Sequence, residues 1–176
     1  MVMMSNLKLT ALGALVIGTV LTSTAVNADP VTLNITGNVV ASPCQIASDS
    51  VTKNVNLGST IQASDLQTAA SGSSWVNFTI DLVSCPAGTT SATMTMHGTA
   101  DTNSTGDLYK NTGTATNLAV QLQTQAGGQM GDGKTLSGTL ANNAYSYTMR
   151  ARAYSTSGGV KPGTVSSVVT ATFVYQ

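Results

Sequence analysis

The sequence predicts an all-β fold, an antiparallel sandwich of short strands, and three observations carry that prediction. Apolar residues recur at every second position in most segments, which is the side-chain period of a strand with one buried face. Thr, Ser, Asn and Gly abound, Glu is absent and Lys is scarce. That composition suits strands and tight polar turns and disfavours solvated helices. No window of useful length repeats its apolar residues at the helical period, and Gly-, Asn- and Ser-rich stretches punctuate the apolar runs. Many short strands joined by polar turns pack as two antiparallel layers.

The elements follow in order. Residues 1–28 read as a secretory signal peptide: Lys8 precedes an uncharged apolar run over 9–21, and small and polar residues lead to Val26-Asn27-Ala28. The run is short for a membrane span, and no basic stop-transfer cluster follows it. The first mature segment places Val31, Leu33, Ile35, Gly37 and Val39 on one face. Val55 and Leu57 mark a shorter piece, and residues 60–70 have room for one helical turn. Val76, Phe78, Ile80 and Leu82 form a strand that runs into Cys85; after the turn Pro86-Ala87-Gly88, Ala92, Met94 and Met96 form the next. Leu118, Val120 and Leu122 mark another, as do Tyr145, Tyr147, Met149, Ala151 and Ala153. The last strand sets Gly163, Val165, Ser167, Val169, Ala171, Phe173 and Tyr175 on one face and mostly polar residues on the other, up to Gln176. Turns are expected at 71–74, 101–117, 126–134 and 156–163. Neither an internal repeat nor a domain linker is visible.

Cys44 and Cys85 are the two cysteines. In an exported chain they read as a disulfide. They stand 41 residues apart, so chain entropy predicts roughly 4 kcal/mol of stabilisation. No histidine or further cysteine lies near enough in sequence to complete a metal set.

Seven basic and seven acidic residues give a net charge of zero, and every acid is Asp. Nothing in that balance favours nucleic acid or an anionic membrane. Residues 128–135 spell the phosphate-cradling pattern G-x-x-x-x-G-K-T. That chemistry needs a helix after the loop, and residues 136–147 have no helical pattern, so a glycine-rich hairpin between strands is expected. Residues 101–106 resemble half of a calcium loop, but Thr112 stands where the bidentate Glu belongs. Asn34, Asn77 and Asn103 begin glycosylation sequons, two of them in expected strands. His97 is the lone histidine, and no nucleophile motif accompanies it. An enzyme is therefore a poor reading, and no cofactor is called for. Trp75, the single tryptophan, reads as core or loop packing.

The two ends are the unusual part. An apolar strand at the C-terminus must be paired on both sides or leave an edge open. An equally regular apolar strand stands at the other end, just after the cleavage site. With the cysteines, these ends resemble chaperone–usher pilins, the structural subunits of bacterial fimbriae. The resemblance rests on the alternating segment 31–39, on Cys44 early in the mature chain and on Leu82-Val83-Ser84-Cys85-Pro86. It rests equally on the last strand, with Tyr175 penultimate and Gly163 fourteenth from the end. Tyr109-Lys110-Asn111, Gly113-Thr114-Ala115 and the run from Arg152 to Thr164 look like the minor tip subunits of type 1 fimbriae.

The resemblance implies an incomplete immunoglobulin-like β-sandwich lacking its seventh strand. It divides the chain into a signal peptide at 1–28, an N-terminal donor-strand extension at 29–40 and a pilin domain at 41–176. Val31, Leu33, Ile35 and Val39 would fill a neighbouring subunit's groove, with Gly37 where no side chain fits. Gly163, Val165, Val169, Ala171, Phe173 and Tyr175 would line this chain's own acceptor groove and bind the chaperone. The implied partners are a periplasmic chaperone, an outer-membrane usher and a fimbrial subunit at each end, with no nucleotide and no nucleic acid. The implied location is the cell-surface fimbrium, reached through the periplasm. A tip adaptor is the reading preferred over a rod subunit. The alternative is a self-sufficient sandwich in which residues 29–40 are an ordinary first strand, as in an autonomous carbohydrate-binding module.

Overall fold

A computed structural model describes residues 31–104 and 106–176; the signal peptide read at 1–28 and the first two residues of the extension lie outside the described residues. The chain divides into two units, one ending at Gly37 and one running Asn38–Gln176. Residues 31–37 form no strand, and Val31, Leu33 and Ile35 are exposed.

The second unit is an antiparallel sandwich, with nine strands among the described residues. The larger sheet contains β1 (Gln45–Ile46), β3 (Val76–Val83), β8 (Tyr145–Ser155), β6 (Ala119–Thr124) and β5 (Leu108–Lys110), in that order. A two-residue β2 (Ser71–Gly72) adds to β8. The smaller sheet is β7 (Thr135–Thr139), β4 (Ser91–Gly98) and β9 (Val169–Tyr175), with β4 central. Among the described residues, helix is confined to one turn, α1 (Ser48–Val51), and to a 3-10 turn at Ala63–Leu66, inside the 60–70 window that the sequence marks.

Alternation decides which residues meet between the sheets. Ile80 and Leu82 of β3, Ala92, Met94 and Met96 of β4, Val120 and Leu122 of β6, and Tyr147, Met149 and Ala151 of β8 share one buried core. The two buried tyrosines keep their hydroxyls bonded, as buried polar groups must: Tyr147 donates to the carbonyl of Ala92 at 2.7 Å and Tyr109 to that of Met130 at 2.9 Å. Burial pushes the Tyr147 phenol up to about 12 and moves Tyr109 in the same direction. A disulfide joins Cys44 to Cys85 with a Cα separation of 4.1 Å, tying the start of β1 to the end of β3.

Four local expectations are corrected. The expected turn at 71–74 contains β2, because Ser71 and Gly72 pair with Ser155 and Tyr154. The glycine-rich stretch 128–135 does not join two paired strands: the chain folds back on β6 only through the bridge between Gln123 and Gln129, then leads to β7 in the other sheet, across the sandwich. The residues after it form strand β7, not the helix that phosphate cradling requires. Residues 53–57 form no strand, although Lys53, Val55 and Leu57 alternate inward. The last strand starts at Val169, because residues 164–166 are tied instead to the loop 111–115: Thr112 and Ala115 donate to the carbonyls of Ser166 and Thr164 at 2.8 and 3.1 Å.

Candidate functional site

The smaller sheet ends on β9, and among the described residues β9 pairs with β4 alone. The register runs from Ala92 opposite Tyr175 to Gly98 opposite Val169. Gln176 is clamped to the start of β4, with its carbonyl accepting from the amides of Thr90 and Ser91 at 2.6 and 3.0 Å. The strand is therefore fixed along one edge, while its other edge offers unused N–H and C=O groups.

Beside that open edge runs a groove of about 830 Å³. One wall is the segment 163–173; the other is the chain from Ile46 to Ile61. The floor is the sandwich core itself: Phe78, Ile80, Met96, Val120, Leu122 and Ala151. Segment 53–57 turns Lys53, Val55 and Leu57 inward yet pairs with no strand among the described residues. The groove thus lies between two backbone segments with free hydrogen-bonding capacity, over an apolar bed.

The residues expected to line an acceptor groove take different positions. Val165, Val169, Ala171 and Phe173 line it, half-buried, and their inward facing alternates with exposed Ser166, Val168, Thr170 and Thr172. Gly163 also lines it, and its lack of a side chain has a local cause. A Cβ there would lie 2.3 Å from the amide nitrogen of Ala115. Tyr175 is not on the groove lining. It stacks on Phe173 with ring centroids 6.4 Å apart, and Phe173 in turn lies 5.9 Å from Tyr147, in an aromatic row that closes one end of the core. Burial raises the Tyr175 phenol above its ordinary pKa. The resemblance implies the first strand after the extension as the opposite wall, but no residue of that wall or of the floor was named from the sequence. The alternation of Val55 and Leu57 was visible, but nothing local added Lys53 to it or said which element it faces.

Of the expected donor residues, Val31, Leu33, Ile35 and Val39 are exposed, and Gly37 has no atom within 4 Å of where a Cβ would stand. Val40 is exposed beside them. Among the described residues no cluster of His, Cys, Asp and Glu is suited to a metal. His97 is half-exposed on β4, 4.0 Å from a carboxylate oxygen of Asp132. What the site is equipped to do is accept a strand: backbone edges on both sides, apolar pockets for alternate side chains below.

Comparison with known proteins agrees with that geometry. The family model described as fimbrial protein matches residues 33–176. The chain is 34% identical over 158 residues to protein FimG of Escherichia coli (strain K12), spanning 89% of this chain and 91% of that one. It is 36% identical over 148 residues to the S-fimbrial adhesin protein SfaS of Escherichia coli O6:K15:H31 (strain 536 / UPEC), spanning 82% and 84%. The crystal structure of the P pilus rod subunit PapA shares the fold, with a TM-score of 0.66 at 22% identity, over 77% of this chain and 100% of that one. The open strand edge and its apolar groove are therefore features of a chain that belongs to the fimbrial protein family.

Proposed function

We propose that this chain is a fimbrial structural subunit whose groove accepts a β-strand from another molecule and whose residues 29–40 supply such a strand to the next subunit. It is a non-catalytic building block, assembled through the chaperone–usher route and exported to the cell-surface fimbrium. The open edge of β9 over a groove floored by core residues is the observation that carries the reading. A strand laid in that groove gains ladder bonds to β9 on one side and to segment 53–57 on the other. Its alternate side chains reach Ile80, Met96, Val120 and Leu122. The periplasmic chaperone would supply the first such strand, and a neighbouring subunit's extension would replace it at the usher.

The donor end follows the same physics. Val31, Leu33, Ile35 and Val39 stand on one face at intervals of roughly 7 Å or multiples of it once the segment is extended. Burying four aliphatic side chains contributes on the order of 6–12 kcal/mol before ordering costs. One groove and one extension on different parts of the chain make a head-to-tail contact that does not close, so it propagates a fibre. Similarity to FimG supports a minor adaptor near the tip.

Two experiments test this. Expressed without a chaperone, the full chain is expected to fold poorly, and with one to purify as a one-to-one complex; a stable, cooperative monomer from the chain alone would overturn the proposal. Immunogold labelling of isolated fibres is expected at tips; labelling along the shaft would make the chain a rod subunit.

A further inference from the structure

We propose that the outer face of the larger sheet carries an oxyanion-binding site built from Arg150 and Arg152, which are the only arginines in the sequence. They are alternate residues of β8, so they emerge on the same face of the sheet, away from the core that Met149, Ala151 and Ala153 enter. Both guanidinium carbons lie over the ring of Trp75, at 4.4 and 4.2 Å, and that of Arg152 is also 5.0 Å from Tyr154.

The two cations are held in place by neutral groups. Arg150 donates through one terminal nitrogen to the side-chain oxygen of Gln123 at 2.8 Å. Arg152 donates through Nε to that of Gln121 at 2.7 Å. Gln121 and Gln123 are themselves buried, and Gln121 donates onward to Gln129. Gly72 completes the cradle: a Cβ there would come within 2.8 Å of the Arg152 guanidinium. Among the described residues no carboxylate pairs with either arginine, and Nε of Arg150 is buried without a hydrogen-bond partner.

Two adjacent like charges repel, and each guanidinium retains forked N–H donors that match a carboxylate or phosphate. Stacking on Trp75 and bonding to glutamine oxygens hold the pair together without neutralising it. What completes the arrangement is an anion with oxygens to share between both forks. Arg150, Arg152, Trp75, Gln121 and Gln123 are not on the groove lining, so the site is independent of the groove.

Trp75 is the single tryptophan, and it reports directly on this site. The full chain, with its groove filled by a tryptophan-free peptide strand, or alone if it folds so, is titrated at constant ionic strength. The probes are sodium glucuronate, inorganic phosphate and neutral glucose, and the readout is Trp75 fluorescence. A saturable change with glucuronate or phosphate and none with glucose is expected, and whichever binds more tightly names the source of the oxyanion. Arg152→Gln is expected to weaken that binding by about tenfold or more, as loss of a charged hydrogen-bonding partner does. Arg152→Lys keeps the charge but not the fork, and is expected to fall between. Far-UV circular dichroism checks that each variant is folded. No saturable response to either oxyanion, an equal response to glucose, or unchanged affinity in folded Arg152→Gln would overturn the site.

Discussion

At Gly163 an added Cβ would press on the Ala115 amide nitrogen and on the carbonyl carbon of Thr114, 2.5 Å away, where backbone has no rotamer to escape into. Gly163→Ala is therefore expected to lose about 1–3 kcal/mol, read as a lower urea midpoint of the strand-filled protein. Gly37→Val is the contrasting case, since open space surrounds that position. It is expected to leave the chain's own stability within roughly 0.5 kcal/mol while abolishing binding of the 29–41 peptide to a neighbour's groove. Sequence position marked both glycines; only the fold separates their reasons, because the loop 111–115 is remote from Gly163 in sequence. Tyr147 supplies a test by pH. Its folded pKa of about 12 lies above the ordinary 10, since burial favours the neutral phenol. Its contribution is thus intact below pH 10 and is lost as pH rises from 10 towards 12, a window to which Tyr109 adds in the same direction. Thermal melts followed by circular dichroism are expected to show falling Tm across that range. Tyr147→Phe is expected to flatten the fall, and to cost about 1 kcal/mol at neutral pH through the unbonded Ala92 carbonyl.

Strands β3, β4, β6, β8 and β9 were legible because each carries its own period of two, strong enough to be read without neighbours. The pieces that escaped, β1, β2, β5 and β7, span two to five residues. They exist because a longer strand offers them an edge, and that is tertiary information. The same holds for segment 53–57, where the alternation of Val55 and Leu57 was plain while the segment's lack of a partner was not. That lack defines its expected behaviour. Amides facing the groove, on segment 53–57 and on the open edge of β9, are expected to exchange with solvent rapidly in the unfilled chain. On filling they should become protected, while β4 amides bonded to β9 stay protected throughout. Hydrogen exchange read by mass spectrometry on the two forms checks this; early protection of 53–57 would mean that the wall is already paired. At the donor end, Ile35→Asp places a charge where the partner's groove is apolar. Docking of this chain into the neighbour whose groove its extension fills is expected to stop while chaperone binding persists. Equal loss of both would show that the two ends are not separate devices.

A sandwich with an apolar floor open along one side is held below its attainable stability until another chain closes it, and this turns a folding deficit into an assembly drive. The floor residues Ile80, Met96, Val120 and Leu122 belong to the same core as Met94, Tyr147 and Met149, so filling the groove acts on the global unfolding transition and not on a peripheral patch. A donor that is tethered enters without the entropy cost of bimolecular association. Joining residues 29–41 by a flexible linker after Gln176, in a chain that begins at Ala41, is therefore expected to give a monomer whose Tm exceeds that of the unfilled chain by about 10 °C or more, the change that a few kcal/mol brings in a domain of this size. The same fusion carrying Ile35→Asp retains the tether and the linker but loses the fit, and is expected to melt like the unfilled chain. A rise of equal size in both fusions would assign the gain to the linker or to crowding near the edge, and the groove would then have no claim to act through its apolar pockets.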